Sequence, residues 1–295
     1  MSYIHHPRHY TNDIAPTSSW LAIYFCGIRH FIQSLNVQRH GPYLVVNFNY
    51  FVKDHNQHKY KGIFKGFIHQ LLQVDLIRYS ISRLRFIYFV KVLRKLRTLE
   101  SPHEGVAENT IDHNLKGITD YAAVRPLALI KPLSVIESLS KDSKVLTIGP
   151  RTEGEMLALV GYGFLPQNIV GLDLITYSPW VDIGDMHQMP YNENSFDVIL
   201  AGWVIAYSHT PGIAAKEMIR VLKPGGIVAI GVEYGIDNAK ELLGYIPGAG
   251  RKTNSVDQIT RYFADHLDFM YFSHGIVDSR KNMKGSVLAI FSIKK

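Results

Sequence analysis

The sequence predicts an α/β protein in which a seven-stranded, mostly parallel sheet ends in an antiparallel hairpin and follows a basic, largely helical N-terminal extension. After residue 111, short apolar runs alternate with stretches of helical periodicity, which is typical of parallel strands joined by helices. The last two apolar runs have no helical stretch between them, which favours a hairpin. Charge marks the extension, because residues 1–110 hold 14 Lys and Arg against 6 Asp and Glu, whereas residues 111–295 hold 18 against 19. We therefore expect two domains, 1–110 and 111–295.

The elements of the second domain are predicted from apolar content and period. Strands are expected at 144–148, 169–172, 180–183, 196–200, 227–232, 269–276 and 286–293. Helices are expected at 125–139, 155–160, 212–222 and 256–266. Alternation of this kind places helices on both faces of the sheet.

The extension carries its own pattern. A strand is expected within 43–52, and a basic amphipathic helix or helix pair over about 61–98, where nine Lys and Arg face one acid, Asp75, up to Arg97. The helix either contacts an anionic surface, such as a membrane, or packs its apolar face on the second domain and leaves its charges in solvent. Arg78, Arg83 and Arg85 argue against a transmembrane span. The polar residues 100–119 are predicted to form a linker.

Composition excludes several classes of protein. One cysteine, Cys26, offers neither an internal disulfide nor a zinc cluster, which points to a reducing compartment. The polar, His-rich start does not have the pattern of a secretory signal. We expect a cytoplasmic protein that is either free or peripheral to a membrane. Nucleic acid is disfavoured as a partner, because the chain has no Asn/Asp-Pro-Pro-Tyr element for handling a flipped base.

Candidate ligand contacts follow the ends of four predicted strands, where open parallel sheets bind ligands. Glycines after the first strand allow a close backbone approach and open the N-terminus of a helix, which can receive a carboxylate. If the ligand carries an adenosyl group, Asp173, 24 residues beyond Gly149, is placed to accept hydrogen bonds from the ribose hydroxyls. Asp185 could then accept from the adenine amine, with Met186 and Trp203 as apolar surface around the ring.

Two further runs carry a resemblance to a known family. Residues 184–199, Gly-Asp-Met-His-Gln-Met-Pro-Tyr-Asn-Glu-Asn-Ser-Phe-Asp-Val-Ile, and residues 217–226, Glu-Met-Ile-Arg-Val-Leu-Lys-Pro-Gly-Gly, resemble signatures of class I S-adenosylmethionine (SAM) dependent methyltransferases of the type 11 kind. The resemblance implies a Rossmann-like fold, SAM as cofactor and methyl transfer. The cofactor contacts that it implies are Gly149, Pro150, Arg151, Glu153, Gly154, Asp173, Leu174, Asp185, Met186, Gly202 and Trp203.

The first loop departs from that family. Where typical members have Asp-x-Gly-x-Gly-x-Gly, this chain has Thr-Ile-Gly-Pro-Arg-Thr-Glu-Gly at 147–154. We expect Glu153 or Glu155 to replace the missing acid opposite the methionine amine, and Arg151 to pair with the methionine carboxylate. The alternative is a degenerate loop in a protein that has lost SAM binding and serves as a scaffold or regulatory partner.

Catalytic residues are not assigned by the sequence. Methyl transfer from a sulfonium needs alignment in a dry pocket and no metal, and it needs a base only if the acceptor must lose a proton. Tyr207, His209 and His187 are weak candidates for such a base. The expected acceptor is a small molecule, a sugar or a lipid-linked group, and a dehydrogenase is disfavoured because the Gly-x-Gly-x-x-Gly loop is absent. The acceptor atom and the oligomeric state stay open.

Overall fold

The computed structural model describes residues 66–119, 125–234, 255–275 and 285–295, together with the backbone of 36–40 and 43–47. Contacts divide the chain into two units, Met1–Gly62 and Ile63–Lys295. In the first unit, strands β1 (Asn36–His40) and β2 (Tyr43–Asn47) pair antiparallel. The strand predicted within 43–52 is thus present at its start, and the remainder lies outside the described residues. The division predicted near residue 110 stays a prediction.

The second unit is built on one seven-stranded sheet. Its order is β10-β11-β9-β8-β4-β5-β7, parallel except for β11, which runs antiparallel to both of its neighbours. The strands are β4 (Val145–Ile148), β5 (Ile169–Asp173), β7 (Val181–Ile183), β8 (Phe196–Gly202), β9 (Leu222–Tyr234), β10 (Leu267–His274) and β11 (Gly285–Ile293). The predicted seven-stranded, mostly parallel sheet with its C-terminal antiparallel hairpin is confirmed.

Helices cover both faces of this sheet. They are α1 (Asp75–Phe86), α2 (Thr110–Lys116), α3 (Leu127–Leu133), α4 (Gly154–Gly161), α5 (Pro211–Val221) and α6 (Val256–Thr260), with 3-10 turns at Pro166–Asn168, Ile205–Tyr207 and Arg261–His266. Successive strand residues enter opposite cores: Leu146 packs with α5 and α6, whereas Val145 packs with α3 and α4. The strands β4, β8 and β11 are almost wholly buried on both sides, which explains their continuous apolar runs.

The basic helix predicted at 61–98 is a series of helical segments. Residues 66–73 are helical, the backbone is extended at Val74, and α1 then continues into a π-helical run, Ile87–Val92. Arg78 is fully buried at the break, where Nη1 donates to the Leu72 carbonyl oxygen over 2.6 Å and the guanidinium pairs with Asp75. Leu72 packs closely on α4, because a Cβ at Gly161 would lie 2.9 Å from the Leu72 backbone.

Residues 100–119 are more than the predicted linker. Just before them, β3 (Arg97–Thr98) pairs antiparallel with β6 (Ile175–Thr176), and the Leu99 amide donates to the Leu174 carbonyl oxygen over 2.7 Å. The segment then forms α2 and a bridge from Val106 to Ser208. Polar sequence without periodicity concealed this, because its partners lie 70 or more residues away. Elsewhere, the helix predicted at 125–139 is shorter, spanning Leu127–Leu133.

No helix among the described residues combines the length and the hydropathy required to cross a membrane.

Candidate functional site

A cavity of about 750 Å³ opens at the carboxyl ends of the parallel strands. This is where the strand order departs in both directions from β4, the position at which open α/β sheets bind ligands. One wall comes from the tips of β4, β5, β7, β8 and β9. The other comes from the N-terminal side of the sheet domain and consists of Val106, Thr110, His113, Asn114, Lys116, Gly117, Arg125 and Pro126. Its volume is in the range of small-molecule sites.

The loop after β4 approaches the cavity with its backbone. Gly149 has φ +67°, and a Cβ there would lie 2.3 Å from Val204 Cγ1, so the position requires glycine. Arg151 also has a left-handed backbone, φ 51°, at a place where the related family carries a glycine. Its amide donates to Asp173 Oδ2 over 2.8 Å, and its Nη1 lies 3.3 Å from the Gly117 carbonyl oxygen. The loop therefore brings a guanidinium, instead of bare backbone, to the cavity.

Asp173 ends β5 and is buried at the cavity wall. Its Oδ2 accepts from the Arg151 amide and its Oδ1 from the Ile175 amide over 3.3 Å. Burial raises the pKa of Asp173 to about 6, although the amides of Arg151, Ile175 and Leu174 and the Arg151 charge oppose the rise. Each carboxylate oxygen keeps lone-pair capacity for a further donor. Leu174, also predicted, lines the cavity beside it.

Glu155 lies in the first turn of α4 and lines the same wall. It is 6% exposed, and its Oε1 has no hydrogen-bond partner within the described part of the chain. Burial, and then the charge of Asp173, raise the pKa of Glu155 to about 8. Thr147, which stands where the related family has its acid, is fully buried with a hydroxyl that likewise lacks a partner among described atoms. The polar groups at this end of the cavity are thus incompletely bonded.

Glu153 and Gly154, predicted as cofactor contacts, do not line the cavity. The carboxylate of Glu153 is completely buried, where it pairs with Arg85 of α1, the Nη2–Oε1 distance being 2.9 Å, and accepts from Ser178 Oγ over 2.5 Å. Gly154 is the buried first residue of α4. Of the two acids that the sequence left open as replacements, the structure therefore brings Glu155, and not Glu153, to the cavity.

Asp185, after β7, is bonded by protein donors on both oxygens. Oδ1 accepts from the His187 amide over 2.9 Å and lies 2.6 Å from His187 Nδ1, while Oδ2 accepts from the His103 amide over 2.8 Å. Burial alone would raise the pKa of Asp185, but the hydrogen bonds from His187 and His103 hold it below its usual value. Asp185 and the adjacent Met186, both of which are predicted cofactor contacts, line the cavity.

The three candidate bases lie in different surroundings. His187 is buried between Asp185 and Ser208, with 2.6 Å from Nε2 to Ser208 Oγ, and its ring stacks on that of His103. His209 is exposed, and its amide donates to the Gly105 carbonyl oxygen over 2.7 Å. Tyr207 lines the cavity, and burial raises the pKa of its hydroxyl. Neither histidine lines the cavity, so neither has the position of a base for a bound acceptor.

Arg125 lines the cavity although the sequence did not predict it as a site residue. Arg125 pairs with Glu233 at the tip of β9, with 3.3 Å from Nη2 to Oε1, and its guanidinium lies 5.5 Å from the ring centroid of Trp203. Trp203 follows β8 with φ 61° and donates its amide to the Gly231 carbonyl oxygen over 2.7 Å. Trp203, Gly202 and Pro150, which are predicted cofactor contacts, also line the cavity. No motif marked Arg125, which was assigned only to a helix start.

Comparison with known proteins identifies the class. Residues 149–230 match the family described as "Methyltransferase domain". With the sheet order described above, this confirms the class I SAM-dependent methyltransferase resemblance and the Rossmann-like fold.

Individual relatives are more distant. Demethylmenaquinone methyltransferase from Corynebacterium glutamicum is 29% identical over 92 residues, which are 29% of this chain and 40% of that protein. A putative methyltransferase of Haloferax volcanii, solved with the Trm112 methyltransferase activator, is 18% identical with a TM-score of 0.46, covering 64% of this chain and 96% of its own. A possible histamine N-methyltransferase from Thermotoga maritima is 15% identical with a TM-score of 0.42, covering 64% and 98%. The chain spans less than half of the curated relative that it matches.

Proposed function

We propose that this protein is a SAM-dependent methyltransferase that transfers a methyl group to a small-molecule, sugar or lipid-linked acceptor. The observation that carries the proposal is the buried carboxyl of Asp173 at the tip of β5, next to a loop whose Gly149 admits no side chain. A carboxylate held there accepts two hydrogen bonds from vicinal ribose hydroxyls. Such charge-assisted bonds contribute about 1.5 to 3 kcal/mol each.

The described residues fit the cofactor, by the chemistry of their donors and acceptors. Glu155 holds a carboxyl whose Oε1 has no partner among the described residues, and Arg151 holds a guanidinium; these groups are complementary to the amine and the carboxylate of the methionine moiety. Met186 and Trp203 offer apolar surface for adenine. Asp185 Oδ2, which accepts from the His103 amide, keeps a second lone pair for the adenine amine, whereas Oδ1 is already bonded twice by His187. SAM, when bound, supplies an electrophilic methyl group on a sulfonium.

In this proposal the protein contributes alignment and exclusion of water. Methyl transfer is an in-line displacement, so the cavity has to hold the acceptor atom on the axis of the departing sulfur. Tyr207 and Arg125 line the same cavity, and we assign the acceptor to the part of it that they form. The raised pKa of Tyr207 suits a hydrogen-bond donor that orients the acceptor, because a hydroxyl that stays protonated is a poor base.

Two observations bear on the class of acceptor. The Corynebacterium glutamicum relative is a demethylmenaquinone methyltransferase, by name an enzyme with a lipid-linked acceptor, and this favours the lipid-linked class among the three. Arg125 stacked against Trp203, with Lys116 and His113 nearby on the cavity wall, favours an acceptor that carries an aromatic or anionic group. A screen of candidate acceptors with methyl-labelled SAM would identify it.

A calorimetric titration with SAM tests the proposal. We expect micromolar affinity for the wild type and loss of measurable binding for Asp173→Ala, because the ribose bonds are removed. Asp182→Ala is a matched control: it removes an exposed acid of neighbouring β7 that accepts from the Tyr191 hydroxyl and does not line the cavity. Wild-type affinity is expected for it.

The alternative is a catalytically inactive, methyltransferase-like scaffold or regulatory protein. The departure of the glycine loop and the internal bonding of Asp185 favour it. A wild-type protein that gives neither heat nor a thermal shift with SAM would establish this alternative and refute the enzymatic proposal.

A further inference from the structure

The carboxyl group of Glu155 is incompletely hydrogen-bonded by the residues that the structure describes. Its Oε1 is buried without a partner among described residues, and its Oε2 lies 4.0 Å from where a Cβ at Gly202 would stand, facing the glycine at the tip of β8. An unpaired polar group in a buried site is unfavourable, because it has lost its hydrogen bonds to water. A native protein keeps such a group when a ligand bonds to it.

The surroundings decide which ligand group that is. The charge that acts on Glu155 is the carboxylate of Asp173 on β5; β4 contributes the hydroxyl of Thr147, and α3 contributes the apolar Leu129 near Gly202. The other charged or titratable groups that line the cavity are His113, Lys116, Arg125, Arg151, Asp185, Tyr207 and Glu233. Arg151 interacts with Asp173, and Arg125 with Glu233. Two neighbouring acids, of which only Asp173 is acted on by a base, favour a cationic ligand group.

We propose that Glu155 is the residue that binds the methionine amine of the cofactor, and that it releases a proton to solvent when the ammonium group binds. The proposal rests on the proposed function. In balance, the neutral carboxyl and the ammonium ion of the free ligand become a carboxylate–ammonium pair, and one proton passes to the buffer. Glu155 thereby takes the role of the acid that Thr147 replaces, from the helix that follows the loop instead of from the strand that precedes it.

The electrostatics of the ligand-free protein give this exchange a pH window. Burial and Asp173 raise the pKa of Glu155 to about 8, so the carboxyl is mostly protonated at pH 7 and mostly ionised at pH 9. Each bound ligand is therefore expected to release close to one proton at pH 7 and close to none at pH 9. Asp173, with a pKa of about 6, is mostly ionised at both pH values and adds little.

Calorimetry with S-adenosylhomocysteine, measured in phosphate and in Tris at each pH, counts the protons. A companion titration uses 5′-deoxy-5′-methylthioadenosine, which keeps the nucleoside but has neither amine nor carboxylate. The wild type is expected to release about one proton per S-adenosylhomocysteine at pH 7 and none with the companion ligand. Glu155→Gln is expected to release none with either, and to bind S-adenosylhomocysteine at least about ten-fold more weakly.

Controls separate the outcomes. Glu153→Gln changes an equally buried acid two residues away that does not line the cavity, and its proton count per bound ligand should equal that of the wild type. Equal binding of the companion ligand to Glu155→Gln and wild type reports an intact cavity. Wild-type binding without proton release, or unchanged affinity in Glu155→Gln, overturns the role of Glu155 and leaves the proposed function in place. Failure of the wild type to bind either ligand overturns both.

A second inference comes from the outer face of α1 and the π-helical run that follows it. Leu76, Leu84 and Val92 are 70, 68 and 65% exposed, and Ile87 and Tyr88 are also exposed. Leu84 is followed by Ile87 at three residues and by Tyr88 at four, Val92 follows Tyr88 at four, and Leu76 lies eleven residues, about three turns, before Ile87, which places them along one side of the helix. We call these five residues the outer stripe. Apolar side chains so exposed on one helical face mark an interaction surface.

Charge around the outer stripe selects the partner. Exposed bases lie around the C-terminal end of the outer stripe, at Lys91, Arg94, Lys95 and Arg97, and residues 76–99 contain no acid. An apolar face bordered by bases is complementary to a bilayer that carries anionic lipid. We infer that the outer stripe lies in the interface of such a bilayer, with α1 parallel to the surface, as one of the two sequence-based interpretations of the basic helix expects.

Vesicle flotation tests this inference on the full chain. Binding is expected to vesicles with about 30 mol% phosphatidylserine and to weaken by about five-fold for each base removed among Lys91, Arg94 and Arg97. Leu76→Ser with Leu84→Ser should abolish it. Val135→Ser with Phe269→Ser is the matched control, since these side chains are equally exposed, at 77 and 59%, but lie away from the stripe. Equal binding to neutral vesicles, equal loss in the control, or binding of duplex nucleic acid without vesicle binding would refute it.

Discussion

At the β7 end of the cavity, Asp185 accepts hydrogen bonds from His187 and His103, and its pKa lies below the usual value. At the glycine-loop end, Glu155 has an oxygen without a partner among described residues, and its pKa is raised to about 8. The first acid is stabilised by the fold itself, whereas the second is destabilised by it. A ligand therefore gains most from bonding to the second.

The resemblance to the family signature is strong at the β7 end of the cavity and weak at the glycine-loop end. The acid that lacks a partner therefore lies beside the motif that resembles the signature less. The run that matches the family signature, 184–199, contains the acid that the protein already satisfies. The run that departs from the signature, 147–154, leads into the acid that is not satisfied. A motif match thus reports architecture as much as ligand contact, and a departure can mark the place where the ligand bonds differently.

The pH dependence of stability is the largest effect that tests this comparison. Because folding raises the pKa of Glu155, the folded state favours the protonated form, so the stabilisation is complete below about pH 4.5 and is lost as the pH rises through about 8. Asp173, raised to about 6, acts in the same direction at lower pH. At about 1.4 kcal/mol per pKa unit, the loss from Glu155 is on the order of 4 kcal/mol. Urea unfolding of the ligand-free protein at pH 5 and 9 measures it.

Glu155→Gln is the variant that isolates this effect. The amide cannot ionise, so the variant should be less sensitive to the rise from pH 5 to 9 than the wild type. A wild type with equal or greater free energy of unfolding at pH 9 would show that Glu155 is ionised in the ligand-free protein, and the contrast between the two ends of the cavity would disappear.

Arg85→Met is the next largest change. It leaves the fully buried Glu153 carboxylate without its cation, which is expected to lower the free energy of unfolding by about 3 kcal/mol. Arg125→Met removes a half-exposed partner of Glu233 and should cost about 1 kcal/mol or less. Chemical denaturation of both variants gives the comparison, and equal losses would mean that Glu153 is not stabilised through Arg85.

Asp185→Asn tests the β7 end of the cavity, where both oxygens of the carboxylate are hydrogen-bonded by the protein. The amide loses the charge-assisted bonds to His187 and the His103 backbone, so we expect a loss of about 2 kcal/mol in the free energy of unfolding. Asp182→Asn, on the same strand but exposed, should change it by less than about 0.5 kcal/mol. If Asp185→Asn instead weakened S-adenosylhomocysteine binding without lowering stability, Asp185 would be a ligand contact first and a structural residue second.

Arg151→Gly has the smallest expected effect on stability. Glycine relieves a left-handed backbone at φ 51° and should stabilise the ligand-free protein by about 0.5 to 1 kcal/mol, offset in part by the greater freedom of the unfolded chain. Affinity for S-adenosylhomocysteine should fall, because the guanidinium that pairs with the methionine carboxylate is gone. Thermal shift and calorimetry on one preparation measure both, and an affinity that rises with stability would assign Arg151 no part in binding.

Much of the fold could be predicted from local sequence. Buried strands such as β8 and β9 are apolar runs bounded by Gly, Pro and polar turns, and such runs need no distant information. The position of Asp173 at the ligand-binding edge of the sheet could be predicted for the same reason, because residues that end a parallel strand lie at that edge. These features depend on residues within a few positions of one another.

The features that sequence reasoning missed depend on distant pairs. Glu153 and Glu155 differ by two positions in a loop of altered length, and what separates them is Arg85, 68 residues earlier in the chain. Residues 100–119 have no period, yet the His103 amide bonds Asp185, 82 residues away. The break at Val74 is fixed by the buried Arg78, which a pattern of exposed bases does not distinguish from its neighbours.

The short ladder between β3 and β6 has a practical consequence for anyone who wishes to isolate the catalytic fold. Arg97 and Thr98 pair with Thr176 and Ile175, and the Leu99 amide donates to the carbonyl oxygen of Leu174, which follows Asp173 directly. A fragment trimmed to begin at residue 111 would strip these backbone partners from the rim of the cavity, along with His103. The smallest portion to express is therefore one that begins upstream of the basic helix, and the same portion is the minimum that a chimera would have to transplant.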